Sequence, residues 1–233
     1  MFDAQDTARI YQLPPGCDFT ARFMDGLTPR LNALTPIARA RVRIIVNTRR
    51  AERLLMERMV RDARFDGLLP QIEVLGDLAD ASDLPPAVSD TRRMFWLARL
   101  VDRLLLAKPG LAPRSARFDL ARALGRLLDE LQEADVDPQQ LGALDVAGLA
   151  EHWQMSIQFV DLLVVAWPDV RMQEEGGALD PLERSRIAEK QLLAQWVENP
   201  PVHPIIIAGS TGSRAGTHAL MRAVARLPQG AIV

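Results

Sequence analysis

Short apolar runs alternate with amphipathic segments over the first 75 residues of the chain. The runs at 10–13, 42–47 and 71–75 have the length and composition of buried strands, and the segments between them, 19–34 and 49–62, space their apolar residues as helices do. Such an alternation is typical of a parallel sheet with right-handed crossovers. The pattern therefore predicts an α/β fold.

From residue 87 to about residue 200 the pattern is helical only. Ser89 can cap a first helix, whose apolar residues recur at spacings of three and four, and we expect Pro168 to interrupt the third helix. The three helices predicted after the first lie at about 120–131, 146–167 and 180–198. Strand-like residues return at Ile205 and again at Ala231.

This order predicts a parallel sheet interrupted by a large helical insertion. We expect residues 1–86 to form the first part of the sheet domain, 87–200 the insertion, and 201–233 the return of the chain to the same sheet. The apolar residues 231–233 begin what looks like another strand. We therefore expect the sequence to be the N-terminal piece of a longer protein.

The amino-acid composition excludes several classes of protein. A chain of 233 residues with 48% hydrophobic content can bury a substantial core. Its single cysteine, Cys17, excludes an intrachain disulfide and a cysteine cluster, and its three histidines lack the spacing of metal ligands. The N-terminus has no hydrophobic signal core and no apolar run is long enough to span a bilayer. We expect a cytoplasmic protein without metal, cofactor or membrane contact.

The charges are segregated along the chain. Between residues 39 and 64 nine arginines face three acids, a local balance of +6 that is typical of a polyanion-binding surface. Between residues 129 and 180 twelve acids face one base, a local balance of −11 that should repel nucleic acid and face solvent or a protein partner. The alternative for both segments is an ordinary solvated surface.

Ligands of open parallel sheets bind beyond the carboxyl ends of the strands, which selects the loops 14–18, 47–50 and 209–216. The first would be a nucleotide-binding loop in a degenerate form, comprising Pro14, Pro15, Gly16 and Asp18. Its prolines lack amide donors, no lysine follows, and its carboxylate would repel phosphate. The third loop begins after Ala208, where a hydrolase would place an acid to hold its metal. We therefore expect no ATP hydrolysis and no catalytic residue.

The second loop concentrates amide, hydroxyl and guanidinium donors at a helix N-terminus, as suits a nucleic-acid backbone. Its candidate DNA contacts are Asn47, Thr48, Arg49, Arg50 and Arg53. The alternative is that Thr48 only caps the helix and the arginines are solvated. In the third loop the candidates are Ser210, Thr211 and Arg214. That loop could grip a phosphate or simply cap the last helix.

Four segments, in order along the chain, carry a resemblance to a known family. They read IYQLPPG at 10–16, VNTRRA at 46–51, VLGDL at 74–78, and IAGSTGSR at 207–214 with ALMRAVARLP at 219–228. Together they resemble the N-terminal region of AddB, the helicase-like subunit of the bacterial AddAB helicase-nuclease, in its alphaproteobacterial form. The resemblance extends over essentially the whole chain.

The resemblance implies a superfamily 1 helicase architecture, with a RecA-like 1A domain interrupted by a helical 1B insertion. It assigns a degenerate nucleotide-binding motif to 14–20, a motif that touches single-stranded DNA to 47–50, and a degenerate metal and ATP motif to 207–212. It implies a module of double-strand-break repair that engages single-stranded DNA, contributes to Chi recognition and acts with an AddA-type subunit. The parent complex is an ATP-dependent helicase and exonuclease, and the family's nuclease and iron-sulfur cluster lie in a C-terminal domain. We expect the present chain itself not to be catalytic.

Two other functions stay open on the sequence. The acidic helical insertion could dock the AddA-type partner, which would make the chain a protein-interaction module. Alternatively, the loop 209–216 could bind a nucleotide or another phosphate in an enzyme domain.

Overall fold

The computed structural model describes residues 7–65, 67–79, 83–134, 136, 159–160 and 162–233. The chain divides into two compact units. The sheet unit comprises Met1–Ser82 and Arg186–Val233, and the helical unit comprises Asp83–Ser185. The helices in chain order are α1 Phe19–Asn32, α2 Pro36–Ala40, α3 Arg49–Arg61, α4 Asp90–Ala107, α5 Arg117–Glu133, α6 Trp167–Glu174, α7 Pro181–Glu198 and α8 Ala215–Arg226.

The sheet unit contains a parallel sheet of four strands, which confirms the predicted α/β class. The strands are β1 Arg43–Val46, β2 Gln71–Val74, β3 Ile205–Ala208 and β4 Gly230–Ile232, in the spatial order β2-β1-β3-β4. The central strand β3 pairs in register with β1, so that Ile205 lies opposite Arg43. All four β3 residues are buried, as expected for a strand covered on both faces of a parallel sheet.

The alternation of side chains along β1 and β3 supplies two separate cores. Ile44 and Ile206 point to one face, where they pack with Leu27, Leu55 and Met59 of α1 and α3. The other face carries Ile45, Ile205 and Ile207, which pack with residues of α7 and α8, namely Trp196, Leu220 and Val224. One sheet therefore organises two layers of helices, the arrangement that covers a parallel sheet.

The prediction of a strand at 10–13 is wrong. Only Ile10 pairs with the sheet, through an isolated parallel bridge to Ile232. The N–H of Tyr11 donates to the Ile232 carbonyl at 2.8 Å, and the N–H of Ile232 donates to the Arg9 carbonyl at 2.8 Å. Pro14 and Pro15 follow at once, and proline cannot donate to a ladder. The pairing therefore ends before a strand is established.

Most of the predicted helices are present close to their expected bounds. Ser89 caps α4 by accepting a hydrogen bond from the Arg92 N–H at 3.4 Å, as predicted. Pro168 lies in the first turn of α6, directly after a π-helical turn, so the helical pairing changes near this proline but does not stop there. Along α3, Leu55 and Met59 are buried, whereas Leu54 is 41% exposed.

The helix expected at 146–167 lies mostly outside the described residues. Its described part is helical at 159–160 and continues as a π-helical turn, Leu162–Ala166, that leads into α6. The predicted insertion of 87–200 would contain all of α7. The sheet unit begins again at Arg186, within α7, because Leu192, Leu193 and Trp196 pack in its core.

The helical unit has an apolar core between α4, α5 and the start of α6, and it also contains a buried group of charges around Asp180, which is 1% exposed. The Arg93 Nε atom lies 2.6 Å from Asp180 Oδ1, the Trp167 indole N–H donates to Oδ2 at 2.6 Å, and Arg171 lies 3.8 Å from Oδ2. Burial raises the pKa of Asp180, although Arg93 opposes that shift. The expectation that the acidic stretch faces solvent is therefore wrong at Asp180.

We predict that Asp180→Asn lowers the free energy of unfolding by about 1–3 kcal/mol, because Arg93 then keeps only the more exposed Asp129 as its counter-charge. Urea denaturation followed by circular dichroism measures the change. Asp169→Asn is the matched control, since it makes the same substitution at an exposed position of α6. Equal denaturation midpoints for the two variants would contradict the prediction.

Candidate nucleic-acid interface

The loops that follow the strands meet at Gly209, directly after β3. The Asn47 side-chain amide donates to the Gly209 carbonyl at 2.7 Å, and the Gly209 N–H donates to the Val233 carbonyl at 2.9 Å. Gly209 has a φ of +71°, and a Cβ atom on it would lie 3.3 Å from the Phe19 ring. Glycine is thus favoured here by both backbone conformation and space. The structure brings the three predicted loops to one edge of the sheet.

The first loop presents a carboxylate where a nucleotide phosphate would be expected. Asp18 caps α1, because its Oδ1 accepts a hydrogen bond from the Ala21 N–H at 3.0 Å, and its Oδ2 accepts one from Arg58 at 2.8 Å. The Ala21 bond, and after it Arg58, hold the pKa of Asp18 below its usual value. Pro14, Pro15 and Gly16 are exposed. A fixed negative charge at this helix N-terminus disfavours a second anion.

The second loop separates into residues that stabilise the fold and residues that face solvent. Thr48 caps α3 by accepting a hydrogen bond from the Ala51 N–H at 3.1 Å. Arg49 pairs with Asp77 at 2.7 Å and with Glu52 at 3.3 Å. Arg50 and Arg53 are exposed, and neither forms an ion pair with any residue that the structure describes. They are the part of this loop and helix that is available to a ligand.

Most of the nine arginines between residues 39 and 64 have partners within the chain. Arg39 is buried and its Nε donates to the Leu31 carbonyl at 3.1 Å. The remaining paired members are Arg43 with Glu73, Arg58 with Asp18, Arg61 with Glu57 and Arg64 with Asp62. The local balance of +6 therefore overstates the charge that a polyanion would meet.

Arg50 lies in the first turn of α3, where the partial positive charge of the helix dipole repels a cation. A positive charge in the first turn of a helix lowers the stability of the fold by about 0.3–1 kcal/mol. Arg49, its neighbour, is compensated by Glu52 and Asp77. Arg50 has no such compensation within the described part of the chain, so an external anion is what would offset its cost.

Two backbone donors of the third loop are bonded within the chain. The Gly212 N–H donates to Ser210 Oγ at 3.4 Å, and the Gly209 N–H is already bonded to Val233. Thr211 and Arg214 are exposed, and the Arg214 side chain makes no capping bond at the start of α8. A loop that cradles phosphate offers several free amides. The Gly209 and Gly212 amides are thus engaged, whereas the Thr211 and Ser213 amides form no hydrogen bond with any described residue, so the alternative in which this loop binds a phosphate stays open.

Sequence reasoning missed three residues that shape this edge: Phe19, Arg58 and Asp77. Each acts on a loop from a different element, the first two from α1 and α3 and the third from the 3₁₀ helix Leu75–Ala79. Their roles depend on contacts between residues that are distant in sequence. Phe19 falls within the motif assigned to 14–20, Arg58 is among the nine arginines between 39 and 64, and Asp77 falls within the VLGDL segment at 74–78, but none of these signals indicates the contact that each residue makes.

No protein-family model matches the chain, and no curated protein sequence matches it significantly. In the described ranges, no group of three or more histidine, cysteine or acidic side chains is placed to hold a metal ion. Among the helices that the structure describes, none has both the length and the apolar character needed to cross a membrane.

We predict a pH-dependent effect of Asp18→Asn, which keeps an N-cap acceptor but removes the charge that pairs with Arg58. Because folding lowers the pKa of Asp18, its ionised form stabilises the fold above its usual pKa of 3.8, and this contribution is lost as the pH falls through the lowered value. The variant should melt at a lower temperature than the wild type near pH 7, and the difference should shrink as the pH is lowered below 3.8. A difference that persists unchanged in thermal denaturation as the pH is lowered would argue against it.

Proposed function

We propose that the chain is an inactive helicase-like module of the AddB type, which binds single-stranded DNA at the carboxyl edge of its sheet. In this proposal the sheet unit is RecA-like and the helical segment 87–200 is its insertion. The module acts in a double-strand-break repair complex with an AddA-type subunit and contributes to Chi recognition. It has neither an ATPase nor a nuclease site of its own.

One observation carries the DNA-binding part of the proposal. Arg50 and Arg53 extend into solvent from the N-terminal half of α3, at the edge where parallel sheets bind ligands, and no described carboxylate pairs with them. An exposed arginine of this kind fits a phosphate oxygen through its fork of N–H donors. A row of phosphates would offset the repulsion that Arg50 meets from the helix dipole.

Three features support the absence of ATP hydrolysis. The Asp18 carboxylate caps α1 and pairs with Arg58 at the loop that would receive the phosphates. The end of β3 carries Ala208 and Gly209 instead of an acid that could hold a metal. The Phe19 ring lies against Gly209, so that apolar surface occupies the space between these two loops. Each feature removes a different requirement of phosphoryl transfer.

We predict that the double variant Arg50→Ala, Arg53→Ala binds single-stranded DNA more weakly than the wild type. Binding should weaken linearly on logarithmic axes as salt rises, and losing two phosphate contacts should reduce the slope by about 1.4. Fluorescence anisotropy with a labelled oligothymidine over a series of salt concentrations measures both quantities.

The matched control for this test is Arg222→Ala, Arg226→Ala, which removes two exposed charges from the second half of α8. Because α8 begins after the carboxyl end of β3 and runs back along the sheet, this pair lies toward the opposite edge. The control should keep the wild-type slope. An equal loss in both double variants, or a wild type that shows no salt-sensitive binding, would refute the proposed function.

A further inference from the structure

A carboxylate from α7 lies against the start of α8. Gly216 is the second residue of α8, and a Cβ atom built on it would lie only 2.1 Å from Glu189 Oε2. No side chain could stand at this position without displacing the carboxylate. The lack of a side chain at Gly216 is therefore what allows Glu189 to approach the first turn of α8.

The surroundings of Glu189 contain two cations. Arg186 lies one turn earlier on α7, and Arg214 is the N-cap residue of α8. Burial of Glu189 raises its pKa, whereas Arg186 and Arg214 favour the ionised form. The first turn of α8 also favours a negative charge through the helix dipole. The Glu189 carboxylate thus provides a negative charge from within the chain at the N-terminus of α8. The sequence analysis considered this N-terminus as a binding site for phosphate.

We propose that Glu189 is an autoinhibitory competitor, which engages Arg214 and must yield before Arg214 can pair with a phosphate of single-stranded DNA. The proposal rests on the proposed function, since Arg214 lies in the third loop of the same carboxyl edge. It adds the regulation of that site. An anion arriving at Arg214 meets the Glu189 carboxylate, which lies against Gly216 two residues further along the chain and repels it.

This competition gives the two parts of the edge different roles. Arg50 and Arg53 have no carboxylate partner within the described ranges, so they can meet a strand first. Arg214 joins only when the phosphate competes successfully with Glu189. A strand held at α3 presents its next phosphates at a high local concentration, which favours that exchange, whereas an isolated anion has no such advantage.

The test compares Glu189→Gln with Glu198→Gln, which makes the same substitution on an exposed part of α7. With labelled oligothymidine in fluorescence anisotropy, Glu189→Gln should bind roughly two- to fivefold more tightly than both the wild type and Glu198→Gln, the range expected for one charge in the first turn of a helix. Gly216→Ala keeps the charge but displaces the carboxylate, and it should also tighten binding. Equal affinities for Glu189→Gln and Glu198→Gln, including no binding by either, would overturn the proposal.

A double-mutant cycle identifies Arg214 as the residue through which Glu189 acts. In an Arg214→Ala background, Glu189→Gln should no longer improve binding. If Glu189→Gln still tightens binding in the Arg214→Ala background, Glu189 acts through the overall electrostatic potential of the protein and not through Arg214. The competitor role is then refuted.

The two proposals can fail separately. If Arg50→Ala, Arg53→Ala binds like the wild type while Glu189→Gln still tightens binding relative to Glu198→Gln, the assignment of the strand to α3 fails and the competitor role stands. If the arginine pair is required but Glu189→Gln and Glu198→Gln bind equally, the competitor role fails and the proposed function stands.

Discussion

The arrangement of the carboxyl edge depends on Gly209. Its carbonyl accepts the Asn47 side chain from the β1 loop, its N–H extends the pairing of β3 with β4 through Val233, and the Phe19 ring packs where a side chain would otherwise stand. A parallel sheet brings its loops to one edge but does not fix them relative to one another. Gly209 fixes the loops through its own backbone N–H and carbonyl groups. The side chains around it are positioned as a result.

The second constraint is the pairing of charges between elements that are distant in sequence. Arg49 pairs with Asp77, and Arg58 pairs with Asp18. Exposed ion pairs of this kind contribute little to stability. Their larger effect is on binding, because each one reduces the field that a polyanion would meet. A charge count along the sequence therefore gives an upper limit to a nucleic-acid interface.

Local chemistry made much of the fold predictable. The strands at β1, β2 and β3 follow from short apolar runs, and the caps at Thr48 and Ser89 follow from hydroxyl residues before amphipathic segments. The failures arise where a distant partner decides the outcome. The burial of Asp180 depends on Arg93 and Trp167, which belong to other helices. No pattern within ten residues of Asp180 contains that information.

The difference between local patterns and distant contacts also affects which kind of ligand the carboxyl edge of the sheet can bind. A nucleotide-hydrolysing site needs an acid for its metal, yet the end of β3 carries Ala208 and Gly209, and the one carboxylate at the first loop, Asp18, is engaged by Arg58. A side chain that is held by such a bond cannot also move with a ligand that changes its conformation. Long side chains at exposed helix positions can, because a guanidinium on a flexible stem can follow a flexible phosphate backbone. For this reason Arg50 and Arg53, and not the bonded groups of the loops, carry the function that we propose.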